Sequence, residues 1–148
     1  MKKILIIFML VLSLFILSAC GKKEALTDKQ LTSELTELGF DVNDITDSME
    51  DSNISTVKTA NNGVYQIEYY IFKSEDTAKI AYKNNVKLFS SNEKYEGKEE
   101  NKDNYEKYAQ ETDLSYNSVV RIDNTLIYVS VNINHKKDVK KVLSKLGY

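Results

Sequence analysis

The longest apolar run in the chain, residues 4–17, is broken only by Ser13. Its length is the first constraint on the fold. A helix needs ~20 apolar residues to cross a bilayer, and this run falls short. Lys2 and Lys3 precede it, and the small residues Ser18 and Ala19 follow it, directly ahead of Cys20 and Gly21. A basic start, a short apolar core and a small-residue end make the pattern of a secretory signal. The fold must be built from what comes after.

The segment Leu17-Ser18-Ala19-Cys20 resembles the lipobox of bacterial lipoproteins, and all four positions fit. The chain's only cysteine stands at the cleavage point. The resemblance implies that signal peptidase II cuts between Ala19 and Cys20 and that the Cys20 thiol carries a diacylglyceryl group. It also implies attachment to the outer face of the cell membrane. Two acyl chains anchor a protein stably, at ~0.8 kcal/mol per buried methylene. The expected organisation is a cleaved signal at 1–19, a lipidated tether at 20–26, and one domain at 27–148. In general character the mature part resembles small lipoproteins of Gram-positive bacteria, from which no functional residue carries over.

Composition narrows the partners. Removing Lys2 and Lys3 from 20 basic residues leaves 18 against 22 acidic ones, a net charge of −4. Phosphate backbones require a basic footprint, so nucleic acid is not an expected partner. With Cys20 acylated, no thiol is left to make a disulfide. The chain has no proline, no tryptophan and a single arginine, Arg121. Its wealth of lysine, asparagine, isoleucine and tyrosine is typical of AT-rich genomes, as in many low-G+C Gram-positive bacteria.

Residues 27–38 predict a helix, with a Thr27/Gln30 capping box, a stripe of Leu31, Leu35 and Leu38, and Gly39 as its stop. Residues 41–53 read as a loop with at most one helical turn. Residues 54–60 and 64–73 predict a hairpin around Asn61-Asn62-Gly63. In its second strand Tyr65, Ile67, Tyr69 and Ile71 share one face. Ser74 caps a long helix to about Ser91. Residues 92–104 read as a charged loop. Residues 105–133 carry the clearest β signal. A turn at Asp123-Asn124 sets Ile122 against Thr125 and Val120 against Ile127, and in turn Ser118, Tyr116 and Leu114 against Val129, Val131 and Ile133. A competing turn at residues 115–117 would split off residues 105–114. Asn134 is expected to cap a last helix ending at Leu146.

The order α-ββ-α-ββ-α predicts an α+β fold. Its simplest form is an antiparallel sheet of four to five strands, two hairpins, with the helices packed on one face. The helix ends Leu38-Gly39-Phe40 and Leu146-Gly147-Tyr148 look alike, which either marks a duplicated unit or two ordinary glycine caps.

Little in the chain points to catalysis. The only histidine, His135, sits among lysines at the start of the last helix, so a serine triad would have to use it. Zinc lacks a cysteine or histidine pair. Asp41-Val42-Asn43-Asp44 begins like a calcium loop but continues with Ile45 and Thr46. Glu99, Glu100 and Asp103 are interleaved with Lys98 and Lys102. No metal, cofactor or catalytic set is expected.

Tyrosine is the unusual feature, with ten in the chain. If helices cover the face holding Tyr65 and Tyr69, then Tyr70, Phe72 and Tyr128 lie on the open face as a candidate binding surface. The expected function is a membrane-anchored, non-catalytic binding or protein-interaction module, with an envelope protein or wall ligand as partner. The alternatives are an accessory subunit of an export or wall-synthesis complex, or a hydrolase that uses two carboxylates on cell-wall material.

Overall fold

The computed structural model describes residues 22–148. Ala19, Cys20 and the rest of the signal segment lie outside the described residues. The elements run α1 (Asp28–Glu37), β1 (Asp41–Asp44), β2 (Ile54–Asn61), β3 (Gln66–Phe72), α2 (Glu75–Phe89), β4 (Gly97–Lys102), β5 (Tyr105–Glu111), β6 (Ser115–Ile122), β7 (Thr125–Asn132) and α3 (Lys136–Lys145). The strands form one seven-stranded sheet in the order β1-β2-β3-β7-β6-β5-β4, antiparallel throughout. Three strands precede α2 and four follow it, so the order is α-βββ-α-ββββ-α. The α+β class holds, but the expected sheet of four to five strands does not.

The two extra strands are the edges. Residues 41–53 hold β1, which pairs Asp41–Asp44 with Asn61 to Lys58 of β2. A 3-10 turn at Thr46–Ser48 follows it. Residues 92–104 hold β4, paired along its length with β5. An edge strand has one neighbour only, and apart from the half-buried Gly97 the residues of β4 are exposed, so no hydrophobic alternation marks it. Gly97 makes room for a ring: a Cβ there would lie 2.0 Å from the Tyr108 hydroxyl oxygen.

Placement of all helices on one face is also overturned. Helices α1 and α3 cover one face, where Leu31, Leu35, Val139, Leu143 and Leu146 pack on Ile67, Tyr69, Val120, Ile122 and Ile127. Helix α2 crosses the other, where Ala78, Tyr82 and Phe89 pack on Phe72, Tyr108, Val119 and Leu126. Every residue from Tyr116 to Ile122 is buried. A strand covered on both sides reads as a continuous run of buried residues rather than an alternation. Tyr65, Ile67, Tyr69 and Ile71 do share the α1/α3 face.

Several local readings hold. Thr27 and Gln30 form the capping box. The β6–β7 register runs as expected from Ile122/Thr125 to Tyr116/Val131, and Asp123 takes the φ of +49° that its two-residue turn demands. Residues 115–117 are strand, not turn; the β5–β6 connection is at 112–114. The last helix starts at Lys136, after a 3-10 turn at Ile133–His135 capped by Asn132 rather than Asn134. Both glycine-ended helices close with the same pair of hydrogen bonds. Phe40 N–H donates to Leu35 and Gly39 N–H to Thr36; Tyr148 N–H donates to Leu143 and Gly147 N–H to Ser144. Both are Schellman ends.

Candidate functional site

Helix α2 runs over the sheet but does not fill it. Its packed stripe, Ala78, Tyr82 and Phe89, sits against the middle strands. The edge of the helix toward β2 stands clear and leaves a cleft of about 420 Å³, within the size range of small-ligand sites. Strand alternation builds the floor: Glu68, Tyr70 and Phe72 recur on β3, and Leu126 and Tyr128 on β7, with Ile54 from β2. Tyr128 pairs with Glu68 and Leu126 with Tyr70 across the β3–β7 ladder, which brings the five together. Ala81, Asn85 and Leu88 of α2 form one wall, and Asp51 reaches in from the opposite side.

The segment carrying Asp51 is sewn to β2. Ile45 N–H donates to the Val57 carbonyl at 2.9 Å, and Val57 N–H donates to Thr46 Oγ1 at 2.8 Å. Asp51 Oδ1 accepts from Asn53 N–H at 2.8 Å and from Asn53 Nδ2 at 3.0 Å, which orients its carboxylate. A narrower pocket of about 180 Å³ continues along α2 past Phe72 to Thr77 and Ile80.

The rings are ordered by their neighbours. Phe89 of α2 stacks on Tyr128 with centroids 5.4 Å apart, and Tyr70 stacks beside Phe72 at 6.1 Å. The Tyr70 hydroxyl donates to Glu68 Oε2 at 2.5 Å, and Gln66 Nε2 donates to Glu68 Oε1 at 3.2 Å. Burial raises the pKa of the Tyr70 hydroxyl well above the phenol value, and its bond to Glu68 raises it further. Burial, then the Glu68 charge, also raises that of Tyr128. Both tyrosines therefore stay neutral donors at physiological pH.

The three residues singled out from the sequence, Tyr70, Phe72 and Tyr128, all line this cleft. The face they share is not open, because α2 crosses it. Phe72 is only 6 % exposed and acts as packing beneath the helix, while Tyr70 and Tyr128 are half-buried. Sequence reading missed Asp51, Glu68, Asn85 and Leu88 as lining residues. Glu68 was accessible to it, lying two residues from Tyr70 on the same strand. Leu88 is 62 % exposed.

The other groups weighed from the sequence fall elsewhere. His135 stands just before α3, 5.8 Å from the Tyr65 ring. Asp44 accepts from Thr46 N–H and lies 3.4 Å from Lys58, within a strand rather than a calcium loop. Glu99 and Glu100 are neighbours on β4 and so point to opposite faces. Among the described residues, no three His, Cys, Asp or Glu side chains are grouped as a metal site, and no helix is long and apolar enough to cross a membrane.

The first described residues are fastened to the domain. Lys23 N–H donates to Asn104 Oδ1 at 3.1 Å, and Asn104 Nδ2 donates back to the Lys23 carbonyl at 2.7 Å. Lys23 Nζ donates to the Gly147 carbonyl at 2.8 Å and sits 4.0 Å over the Tyr105 ring. Ala25 and Leu26 pack against the α1/α3 core, and Tyr69 donates to the Leu26 carbonyl.

Compared with known proteins, the chain matches no family model, no curated protein and no solved structure.

Proposed function

We propose that this chain is a lipid-anchored extracytoplasmic binding module that works without catalysis and holds its ligand in the cleft between α2 and the sheet. The observation that carries the reading is the build of that cleft: half-buried Tyr70 and Tyr128, with apolar Ile54, Leu126 and Leu88 and a few oriented polar groups around them. Tyrosine rings give a large contact area with few rotatable bonds and a polar tip, the composition of binding surfaces. The lipobox resemblance at residues 17–20 supplies the anchor, with Cys20 as the acylated residue and an envelope protein or wall component as the partner.

The reading is tested in cells. A photo-crosslinking residue replacing exposed Leu88 is expected to capture a specific envelope partner or wall fragment, and one replacing Leu114, at the far turn, is not. Capture is expected to fall when Cys20→Ala removes the anchor. Equal capture from both positions, or none from Leu88, defeats the proposal.

A second reading is favoured by one observation: Asp51 and Glu68, two carboxylates, line the same cleft, as a carboxylate-based hydrolase would require. Turnover of wall glycans or peptides that is abolished by Glu68→Gln would establish it in place of the first.

A further inference from the structure

The charge of the cleft is one-sided. The only charged side chains among its lining are Asp51 and Glu68. The lysines of α2 are not part of that lining: Lys79, Lys83 and Lys87 recur at four-residue intervals on one stripe, Thr77, Ala81, Asn84 and Leu88 on another toward β2, and Lys87 borders Asn84 and Leu88 in an adjoining hollow. The single cation of β2, Lys58, pairs across the ladder with Tyr69, so it points to the opposite face of the sheet. There it lies 2.8 Å from Asp28 of α1 and 3.4 Å from Asp44. Nothing among the described lining offsets the two carboxylates.

The rings add a second attraction of the same sign. The face of a tyrosine ring attracts a cation within about 6 Å of its centre, and more strongly where water is partly excluded. Tyr70 and Tyr128 are half-buried, and the Glu68 charge is felt by the hydroxyls of both. The chain already uses this contact where Lys23 Nζ sits over Tyr105. Ile54, Leu126 and Leu88 add apolar surface to the same lining.

We propose that the cleft takes a primary ammonium group carried on an apolar stem, in the form of a lysine side chain of a partner peptide. The ammonium donates to Glu68, and the stem lies against Ile54, Leu126 and Leu88. This rests on the cleft being the ligand site, and deepens that reading by naming what enters it.

The test titrates the full chain, in an uncharged maltoside detergent, with single amino acids blocked at both ends: lysine, trimethyl-lysine, norleucine and glutamate. Ring signals of Tyr70 and Tyr128 are followed by NMR. The expected result is that blocked lysine shifts both rings and binds at least about tenfold more tightly than the norleucine and glutamate forms. Glu68→Gln is expected to erase that preference while the spectrum stays folded. Norleucine binding in the cleft as well as lysine would overturn the ammonium proposal and leave the binding module standing. Trimethyl-lysine binding as well as lysine, with Glu68→Gln without effect, would also overturn it, since a quaternary ammonium has no proton to donate. No shift at either ring with any probe would overturn the ammonium proposal and leave the binding module to the crosslinking test.

Discussion

Asn104 and Lys23 hold each other by two reciprocal hydrogen bonds, the amide of one accepting from and donating to the backbone of the other. The Asn104 side chain also donates to Asp123 Oδ1 at 2.9 Å, so one buried amide ties Lys23 to two β-turns. Asn104→Ala removes all three bonds and is expected to destabilise the protein by ~1–3 kcal/mol. Urea unfolding gives the loss, and faster amide exchange at residues 23–26, with the cores unchanged, locates it. Unchanged exchange there would show that Ala25 and Leu26 hold the segment without Asn104.

Arg121 is the only arginine in the chain, and its side chain is 1 % exposed. It pairs with Glu106 on β5, lies 3.4 Å from Glu75 at the start of α2, and donates to the Asp123 carbonyl at 2.6 Å. Removing the arginine leaves the largely buried Glu106 without its partner, while the exposed Glu75 keeps Lys79. Arg121→Met is expected to cost ~3–5 kcal/mol. The double variant with Glu106→Leu is expected to regain much of that, because both charges are then gone. Equal instability of single and double variants in thermal unfolding would contradict this account.

Tyr116 presents the opposite case. Its hydroxyl is buried and makes no hydrogen bond within the structure; the nearby Ser118 hydroxyl donates instead to the Tyr108 carbonyl. An unsatisfied buried hydroxyl carries a desolvation penalty with no return. Tyr116→Phe is therefore expected to leave stability unchanged or raise it by ~1 kcal/mol, while Tyr148→Phe, whose hydroxyl bonds Thr125 Oγ1 at 2.6 Å, is expected to lower it. A clear loss in the Tyr116 variant would mean that its hydroxyl is satisfied in solution.

The buried tyrosines set the alkaline limit. Burial, with the charge of Glu100 adding to it, pushes the Tyr105 hydroxyl up to about 12 from 10.0. Burial is the leading cause of the upward shifts of Tyr69, Tyr70 and Tyr82 as well. A raised folded-state pKa gives stability that is complete below the unfolded value of 10.0 and is lost as pH climbs toward the folded one. Lys58, raised chiefly by its bond to Asp28, adds to the same loss above 10.5. Stability is thus expected to fall steeply above pH 10.0, with tyrosinate absorbance rising together with unfolding. Tyrosinate absorbance that saturates before any loss of circular dichroism would contradict it.

What could be read in advance followed from how each element earns its burial. The β6–β7 register was legible because apolar residues face each other across the Asp123-Asn124 turn. The β4–β5 hairpin turns on the same dipeptide, Asp103-Asn104, and Asp103 has the same φ of +49°. That repeat was the available sign of β4, masked by a strand with no inward-facing apolar residue. Two-sided burial was also signalled, by Val119-Val120-Arg121-Ile122, where alternation gives way to a continuous run. In the cleft, strand alternation put Tyr70, Phe72 and Tyr128 on one face, but Asp51 and Leu88 arrive through the loop and helix that the tertiary fold lays beside them.

The charged rim of the sheet has a consequence for neighbouring copies. A row of free N–H and C=O groups invites another strand, and Lys98-Glu99-Glu100-Asn101-Lys102 makes that invitation hard to accept. If two copies met antiparallel about Glu100, Glu100 would oppose its own counterpart and Lys98 would oppose Lys102, like charges at the closest positions on the ladder. At the other rim β1 is four residues long, too short to template an extended partner. Copies crowded side by side would thus remain separate proteins instead of growing into a shared ribbon.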